Sequence, residues 1–417
     1  MRIAVIVKSF PVITETFILN QITGLIKRGH DVTVFAVQNS DTSEKTGTHP
    51  PDQLSENTVY LNNLHQNKVK RVLDTLSNVN FERRDLSVLL RSCNVFKYKR
   101  LSASLYLSGL ALQLSKYEPF DIIHCQFGTL APLMVKLKEI GAIGGKLVTS
   151  FRGFDLTNRL HENLSAYRHL FSVGDLFLPV CDYFKSILIE NSCNPEKIEV
   201  LHSGIDVNGL RFNTNGHKYN RPLRVISVGR FVEKKGFQYA IDAIAGIVKQ
   251  NIPVSYTLIG DGPLRSELLS RIRMDGIADC VTMPGWKSHN EVIEEIRRGD
   301  ILLAPSITPP DGDKEGIPNV LKEAMAIGIP VIATDHSGIP ELVIHNETGL
   351  LVPEKDTQAI SYSIQTLMND QELFDRLKKN ARQLVEKEYD IELLNEKLEN
   401  LYKSIVNKED VVIAADE

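Results

Sequence analysis

Glu315 and Glu323 stand eight residues apart in Asp311-Gly-Asp-Lys-Glu-Gly-Ile-Pro-Asn-Val-Leu-Lys-Glu323. Pro318 between them suits the first position of a helix, where its fixed φ helps and its missing N–H is no loss. Ile317 before it has no side-chain oxygen to cap the first turn. The N–H groups of Asn319, Val320 and Leu321 are then expected to form an anion site, which the helix dipole favours. Two carboxylates flanking a phosphate cradle match a ligand with hydroxyls at both ends and phosphate between, the layout of a nucleotide sugar. A glycosidase pair is a poorer match: eight helical steps span about 12 Å, against roughly 5–5.5 Å or 6.5–9.5 Å for the two glycosidase geometries. Solvated glutamates on a surface loop and an amphipathic helix are the alternative reading.

Three other loops carry suitable chemistry. Gly229-Arg230-Phe-Val-Glu-Lys-Lys235-Gly236 follows an expected strand and opens a helix. Arg230 there can bind phosphate through two parallel N–H bonds and Lys235 as a point charge; helix-entry charges are the rival reading. Gly260-Asp-Gly-Pro263 is a tight turn that permits close backbone approach. Pro284-Gly285-Trp286-Lys287 holds the only tryptophan, whose ring reads first as packing at the domain edge and second as a platform for a base.

These loops need a frame. Short apolar strands alternate with helical patterns, as in α/β folds with parallel sheets. In the first half, strands are expected at 3–7, 32–37, 121–125, 146–150, 175–179 and 198–201, with helices at 17–28 and 132–140. The second series has strands at 225–228, 255–259, 281–283, 301–304, 331–333 and 349–352, and helices at 237–249, 263–275, 288–298, 318–326 and 358–368. A last helix at about 377–405 is free to pack back across a cleft. The 417 residues thus divide into two Rossmann-like domains, 1–207 and 208–385, with a crossover helix and tail at 386–417. Residues 40–57 read as a polar, turn-rich loop. Ligands of open α/β sheets bind outside the carboxyl ends of strands, so the loops above are the ones that matter.

A net charge of −4 argues against bulk nucleic-acid binding. Five cysteines without C-x-x-C spacing read as buried free thiols of a reducing cytosol rather than a zinc site. The N-terminal apolar run is too short for a signal peptide, and the lipophilic stretch 101–114 is too short to span a bilayer of about 30 Å. A cytoplasmic protein is expected.

In order, Gly229-Arg230…Lys235-Gly236, Gly260-Asp-Gly-Pro, Pro284-Gly-Trp, Glu315-x7-Glu323-Ala-Met-Ala and Ser337-Gly-Ile-Pro-Glu-Leu-Val343 resemble the donor domain of retaining glycosyltransferases of family 4, with the GT-B fold. The match covers about residues 223–405. More weakly, Phe10-Pro-Val-Ile-Thr-Glu-Thr-Phe17 resembles members that build bacterial exopolysaccharides such as colanic acid and amylovoran. The resemblance implies transfer of a sugar from a UDP- or GDP-sugar to a glycan or lipid-linked acceptor. Arg230 and Lys235 would neutralise the diphosphate, with Gly229, Gly260 and the backbone at Asn319 and Val320 around it. Glu323 would grip the ribose, Glu315 and Gly316 the donor sugar, and the turn at Gly285 and Trp286 the base.

Two segments depart from the family pattern. Residues 9–16 lack the usual glycines; Thr14 or Thr16 can cap the following helix, and either can face the diphosphate. Arg152 stands where many relatives have histidine. Arginine cannot act as a general base but can stabilise developing charge, which leaves Asp155 and the strand-end His124 as acceptor-side candidates. A lone histidine at a strand end is more often structural. Asp311-Gly-Asp313 imitates a metal-binding D-x-D, but Arg230, Lys235 and the helix end already supply positive charge, so no metal or other cofactor is expected.

Between Lys68 and Arg100 nine basic residues face three acidic ones. With 88–90, 95–96 and 105–114 interleaved, this region is a candidate for docking on anionic lipid at the inner face of the cytoplasmic membrane. Ordinary solvated helix faces are the alternative. Two rival functions stay open: a sugar-nucleotide epimerase of the same fold, and a non-catalytic nucleotide-sugar-binding partner in a polysaccharide assembly complex.

Overall fold

The computed structural model describes residues 1–12, 15–39, 57–61, 83–163, 165–213 and 222–413. Two parallel six-stranded sheets form its frame. The first holds β1 (Arg2–Phe10), β2 (Asp31–Asn39), β3 (Thr58–Tyr60), β4 (Ile122–Cys125), β5 (Lys146–Phe151) and β6 (Leu176–Pro179), ordered β3-β2-β1-β4-β5-β6. The second holds β7 (Leu223–Val228), β8 (Val254–Ile259), β9 (Val281–Gly285), β10 (Ile301–Ala304), β11 (Val331–Thr334) and β12 (Leu350–Val352). Its order, β12-β11-β10-β7-β8-β9, repeats that of the first sheet. Each sheet reverses direction of winding beside its first strand, between β1 and β4 and between β7 and β10. A crevice opens at such a switch point.

The strands are apolar because helices cover both faces. Five consecutive residues of β1, Ile3–Val7, are buried. One face of the first sheet packs on Ile18, Ile22 and Leu25 of the helix Thr16–Lys27 and on Leu394, Leu398 and Tyr402 of the last helix. The other face packs on helices Tyr106–Leu114 and Ala131–Ile140. In the second half, the helix Phe237–Lys249 buries Phe237, Ala240, Ile241, Ile244 and Ile247, the spacing of a single helical face.

Several expectations change. Residues 198–201 form no strand, only an isolated bridge from Ile198 to Phe177. The short edge strand β3 and the helix Asp182–Glu190 carry too little pattern to have been expected. Most of the 40–57 loop lies outside the described residues. The stretch 105–114 is not a lipid-facing surface: Leu107, Leu110, Ala111, Leu112 and Leu114 are core. Cys93 is exposed, whereas Cys125, Cys181 and Cys193 are buried. No helix among the described residues is long and apolar enough to cross a membrane.

The expected helix at 377–405 is two helices, Gln371–Glu388 and Ile391–Ile413. Between them the chain crosses from the second sheet to the first. There Ile205 N–H bonds the carbonyl of Tyr389, and Ile391 N–H bonds the carbonyl of Ile205, both at 3.0 Å. The Asp390 carboxylate caps the restart by accepting from Glu392 N–H at 2.7 Å. No proline or glycine marks this break, because its cause is a bond to a segment far away in sequence.

Candidate active site

The loops after β7 and β10 meet at the second switch point. Gly229 follows β7; its N–H bonds the Ile259 carbonyl, and Gly260 N–H bonds the Gly285 carbonyl, each at 3.0 Å. The three glycines therefore line adjacent strand ends. A Cβ on Gly260 would lie 2.0 Å from the Gly229 carbonyl oxygen, so only glycine lets these loops close on each other. Gly236 is held likewise: φ is +63°, and a Cβ would meet the Pro305 carbonyl at 1.9 Å. That close contact seats the lysine-bearing turn against the end of β10.

Lys235 Nζ lies 3.0 Å from Glu315 Oε2, and Lys234 Nζ lies 3.5 Å from Oε1. Burial pushes the Glu315 carboxyl up, but the ammonium groups of Lys235 and Lys234 outweigh it and hold the pKa at about 2. Glu315 is therefore an ionised hydrogen-bond acceptor at neutral pH, not an acid. Its backbone N–H donates to His336 Nε2 at 3.1 Å, so that nitrogen is bare and Nδ1 carries the proton, 2.6 Å from Glu354 Oε1. Burial lowers the His336 pKa against the pull of Glu354, which preserves this neutral form. Glu354 also accepts from Thr308 N–H at 2.9 Å, so the sugar-side loop is braced from behind.

The helix starts at Asn319, with Pro318 in the cap position and not in the first turn as expected. No side chain caps it, and Leu321 N–H turns back to the Pro318 carbonyl at 3.1 Å. The outward donors are therefore those of Asn319 and Val320, two rather than three. Glu323, one turn on, is buried, and its Oε1 lies 2.9 Å from His289 Nε2. That bond raises the His289 pKa. Arg230 is exposed and makes no ion pair among the described residues. Trp286, expected to pack, is 53% exposed at the end of β9.

Asp311 and Asp313 are engaged within the protein. Asp313 pairs with Lys234 at 2.9 Å, and Asp311 Oδ1 accepts from Asp313 N–H at 3.0 Å. Among the described residues no group of three or more metal-type ligands forms.

The first half closes over this loop. Lys314 N–H donates to Thr157 Oγ1 at 3.1 Å, its ammonium to the Tyr183 hydroxyl, and Asn158 Nδ2 to the Asp311 carbonyl at 3.3 Å. A Cβ on Gly316 would meet Val180 at 2.9 Å, so this glycine allows the donor loop to touch the first domain.

Arg152 lies in that closure, though its guanidinium is turned into its own domain. It donates to the Gln126 carbonyl at 3.0 Å, to Gln126 Oε1 at 2.7 Å and to Ser203 Oγ at 3.1 Å, and stacks 4.3 Å from the centre of the Phe17 ring. Burial pushes its pKa down to about 10, with Asp155 and Glu15 opposing, so it remains a cation. The buried Asp155 carboxylate accepts from Gly128 N–H at 2.7 Å and from Arg152 and Gly153 N–H at 2.9 Å. It clamps the arginine loop and has little capacity left for an acceptor. His124 sits beneath the site, bonded to Tyr402 of the last helix at 2.6 Å and to Ser150 at 2.8 Å. Burial and the Arg152 charge push its pKa to about 3, and this neutral histidine ties the crossover helix to the sheet.

Thr16 is the first residue of its helix and provides no cap, and Glu15 occupies the cap position. Thr14 lies outside the described residues. Burial raises the Glu15 pKa while Arg152 opposes it, which places a carboxylate beside Arg152. His289, His336, Lys234, Glu15 and Lys322 were missed by sequence reasoning. Lys234, Glu15 and Lys322 stood inside segments already singled out by their chemistry without being picked.

Residues 14–208 match the family model of Glycosyltransferase Family 4, and residues 212–384 that of Glycosyl transferases group 1. A Salmonella typhimurium protein named for colanic acid biosynthesis, the glycosyltransferase WcaL, is 35% identical over 97% of this chain and 100% of its own length. The amylovoran biosynthesis glycosyltransferase AmsK of Erwinia amylovora is 35% identical over 87% of this chain and 89% of its own. Among solved structures, Anabaena HepE in complex with UDP and glucose superposes with a TM-score of 0.71 at 17% identity, covering 97% of this chain and 100% of that one. Sucrose-phosphate synthase of Thermosynechococcus elongatus gives 0.72 at 19%, covering 97% and 99%. The two sheets and their crossover are the GT-B fold, and the chain belongs to glycosyltransferase family 4.

Proposed function

We propose that the chain transfers a hexose from a UDP- or GDP-sugar to a growing glycan or lipid-linked oligosaccharide during exopolysaccharide assembly, with retention at the anomeric carbon. One observation carries the reading: an ionised Glu315, held by Lys235 and Lys234, stands next to an uncapped helix start at a strand-order switch point. Donor phosphates would occupy the N–H groups of Asn319 and Val320 with Arg230 and Lys235 over them. Glu315 and the Gly316 backbone would take sugar hydroxyls, Glu323 the ribose, and the Gly285-Trp286 turn the base. Full-length similarity to proteins named for colanic acid and amylovoran biosynthesis supports the pathway.

The chemical step needs cationic stabilisation of the departing diphosphate more than a protein base. Arg152 supplies charge from the acceptor side, and Asp155 holds its loop in place. No metal is required in this reading: with Asp313 paired to Lys234, the phosphates meet cations already built into the protein. Activity unchanged by a chelator supports that, and loss restored by magnesium overturns it.

Docking on anionic lipid would bring the enzyme to lipid-linked acceptors. Leu90 and Phe96 are 76% and 99% exposed, beside exposed Arg91, Lys97 and Lys99. Lys68, Lys70 and Arg71 lie outside the described residues. Failure to bind anionic vesicles at low salt removes this part of the proposal.

The deciding experiment incubates the protein with nucleotide sugars, with and without a lipid-linked oligosaccharide. Product carrying the donor's anomeric configuration by NMR is expected only with acceptor. Isomerised nucleotide sugar from donor alone would make the protein an epimerase, and no turnover despite donor binding a non-catalytic partner.

A further inference from the structure

Lys322 lies in the second turn of the phosphate-facing helix and is 1% exposed. Its ammonium donates to the Ser203 carbonyl at 2.6 Å and to Asn319 Oδ1 at 3.0 Å, and lies 5.4 Å from the centre of the Tyr389 ring. All three partners are neutral, and no carboxylate among the described residues forms an ion pair with it. A buried ammonium without an opposite charge is costly, and a lysine side chain is long enough to reach water from most positions. Here it is instead directed to Asn319, the first residue of the uncapped helix.

The groups that face it do not balance its charge. Glu323, on its own helix, is already engaged by His289, and Arg152, on the loop after β5, is a second cation. Burial keeps the Cys181 thiol, the His202 imidazole and the Tyr389 phenol in their neutral forms at neutral pH. Burial also pushes Lys322 down to about 7, against the pull of Glu323 and with the help of Arg152.

We propose that Lys322 is a third cation of the diphosphate site, left without a protein counter-ion so that the incoming phosphates complete its charge, and that it takes up a proton as they bind. This rests on the donor-site reading above. Phosphates on the Asn319 and Val320 N–H groups would lie one side chain from the ammonium and raise its proton affinity. Ser203 extends the effect: its carbonyl accepts from Lys322 and its hydroxyl from Arg152, so the phosphate helix and the arginine loop share one residue of the first domain.

The test is calorimetric titration of UDP and of GDP into wild type, Lys322→Met and Lys322→Arg at pH 7.5, in buffers of different ionisation enthalpy. Ligand protons cancel between variants. With an empty-site value of about 7, wild type should take up about 0.7 of a proton more than either variant. Its affinity should fall about twentyfold between pH 6.5 and 8.5 relative to Lys322→Arg, whose charge is fixed over that range. Lys322→Met should bind more weakly at pH 6.5 than wild type, and Lys322→Arg should recover part of that loss. If Met fails to fold, the comparison of wild type with Arg still decides. Equal proton uptake in wild type and variants overturns the proposal and leaves Lys322 a tie between the helix and the first domain. If wild type binds neither nucleotide at millimolar concentration, the donor-site reading fails as well.

Discussion

Glu315 works as a charged acceptor because two ammonium groups keep it ionised in a buried place. Glu315→Gln keeps the shape and removes the charge, leaving Lys234 and Lys235 facing each other. Donor turnover should fall about 10²–10³-fold in kcat/KM, the range for losing one preorganised electrostatic contact at a reacting centre. The folded pKa of about 2 lies below the ordinary value of 4.5, so this carboxylate's stabilisation is complete above about 4.5 and lost as pH falls through about 2. Glu315, Glu323, Arg230 and Lys235 could be singled out as candidates because they stand in two short segments of distinctive composition. His289 and His336 were not: their partners lie 34 and 21 residues away, and only the fold brings them together.

At the scale of elements, the uncapped helix and the braced loop before it are complementary. One leaves donors open, and the other spends a histidine and a carboxylate to hold Glu315 still. His336 has a folded pKa below its ordinary 6.5, as do His124, His202 and His30, and these four outnumber His289, whose raised pKa works the other way, so among the histidines the unfolded chain binds more protons below about 6.5. Stability should therefore fall as pH drops from 7.5 to 5.5. In urea melts His336→Gln should show a shallower decline than wild type; an equal slope would remove His336 from this account. Periodicity made most strands and helices readable, including the helix Phe237–Lys249. The 389–390 break and the lost strand at 198–201 were not readable, since each depends on pairing with a distant segment.

The whole molecule is tied shut by contacts between its halves. Glu341 of the second half accepts from Asp182 and Tyr183 N–H at 2.9 and 3.0 Å, capping the helix Asp182–Glu190 of the first. Lys314, Lys322 and Tyr402 add further ties. Glu341→Ala should cost about 1 kcal/mol, as for a lost helix cap, and should increase the radius of gyration by small-angle scattering. An unchanged radius would mean the other ties suffice. In the proposed function the second half holds a nucleotide sugar between Glu315 and Glu323. The direct measurement is thermal denaturation of wild type, Glu315→Ala and Glu323→Ala across UDP- and GDP-hexoses. At least one should raise the wild-type midpoint in step with its logarithmic concentration, with about 2.7 kcal/mol gained at a hundred times Kd, and both variants should lose most of that shift. A wild type that no nucleotide or nucleotide sugar stabilises would contradict the account.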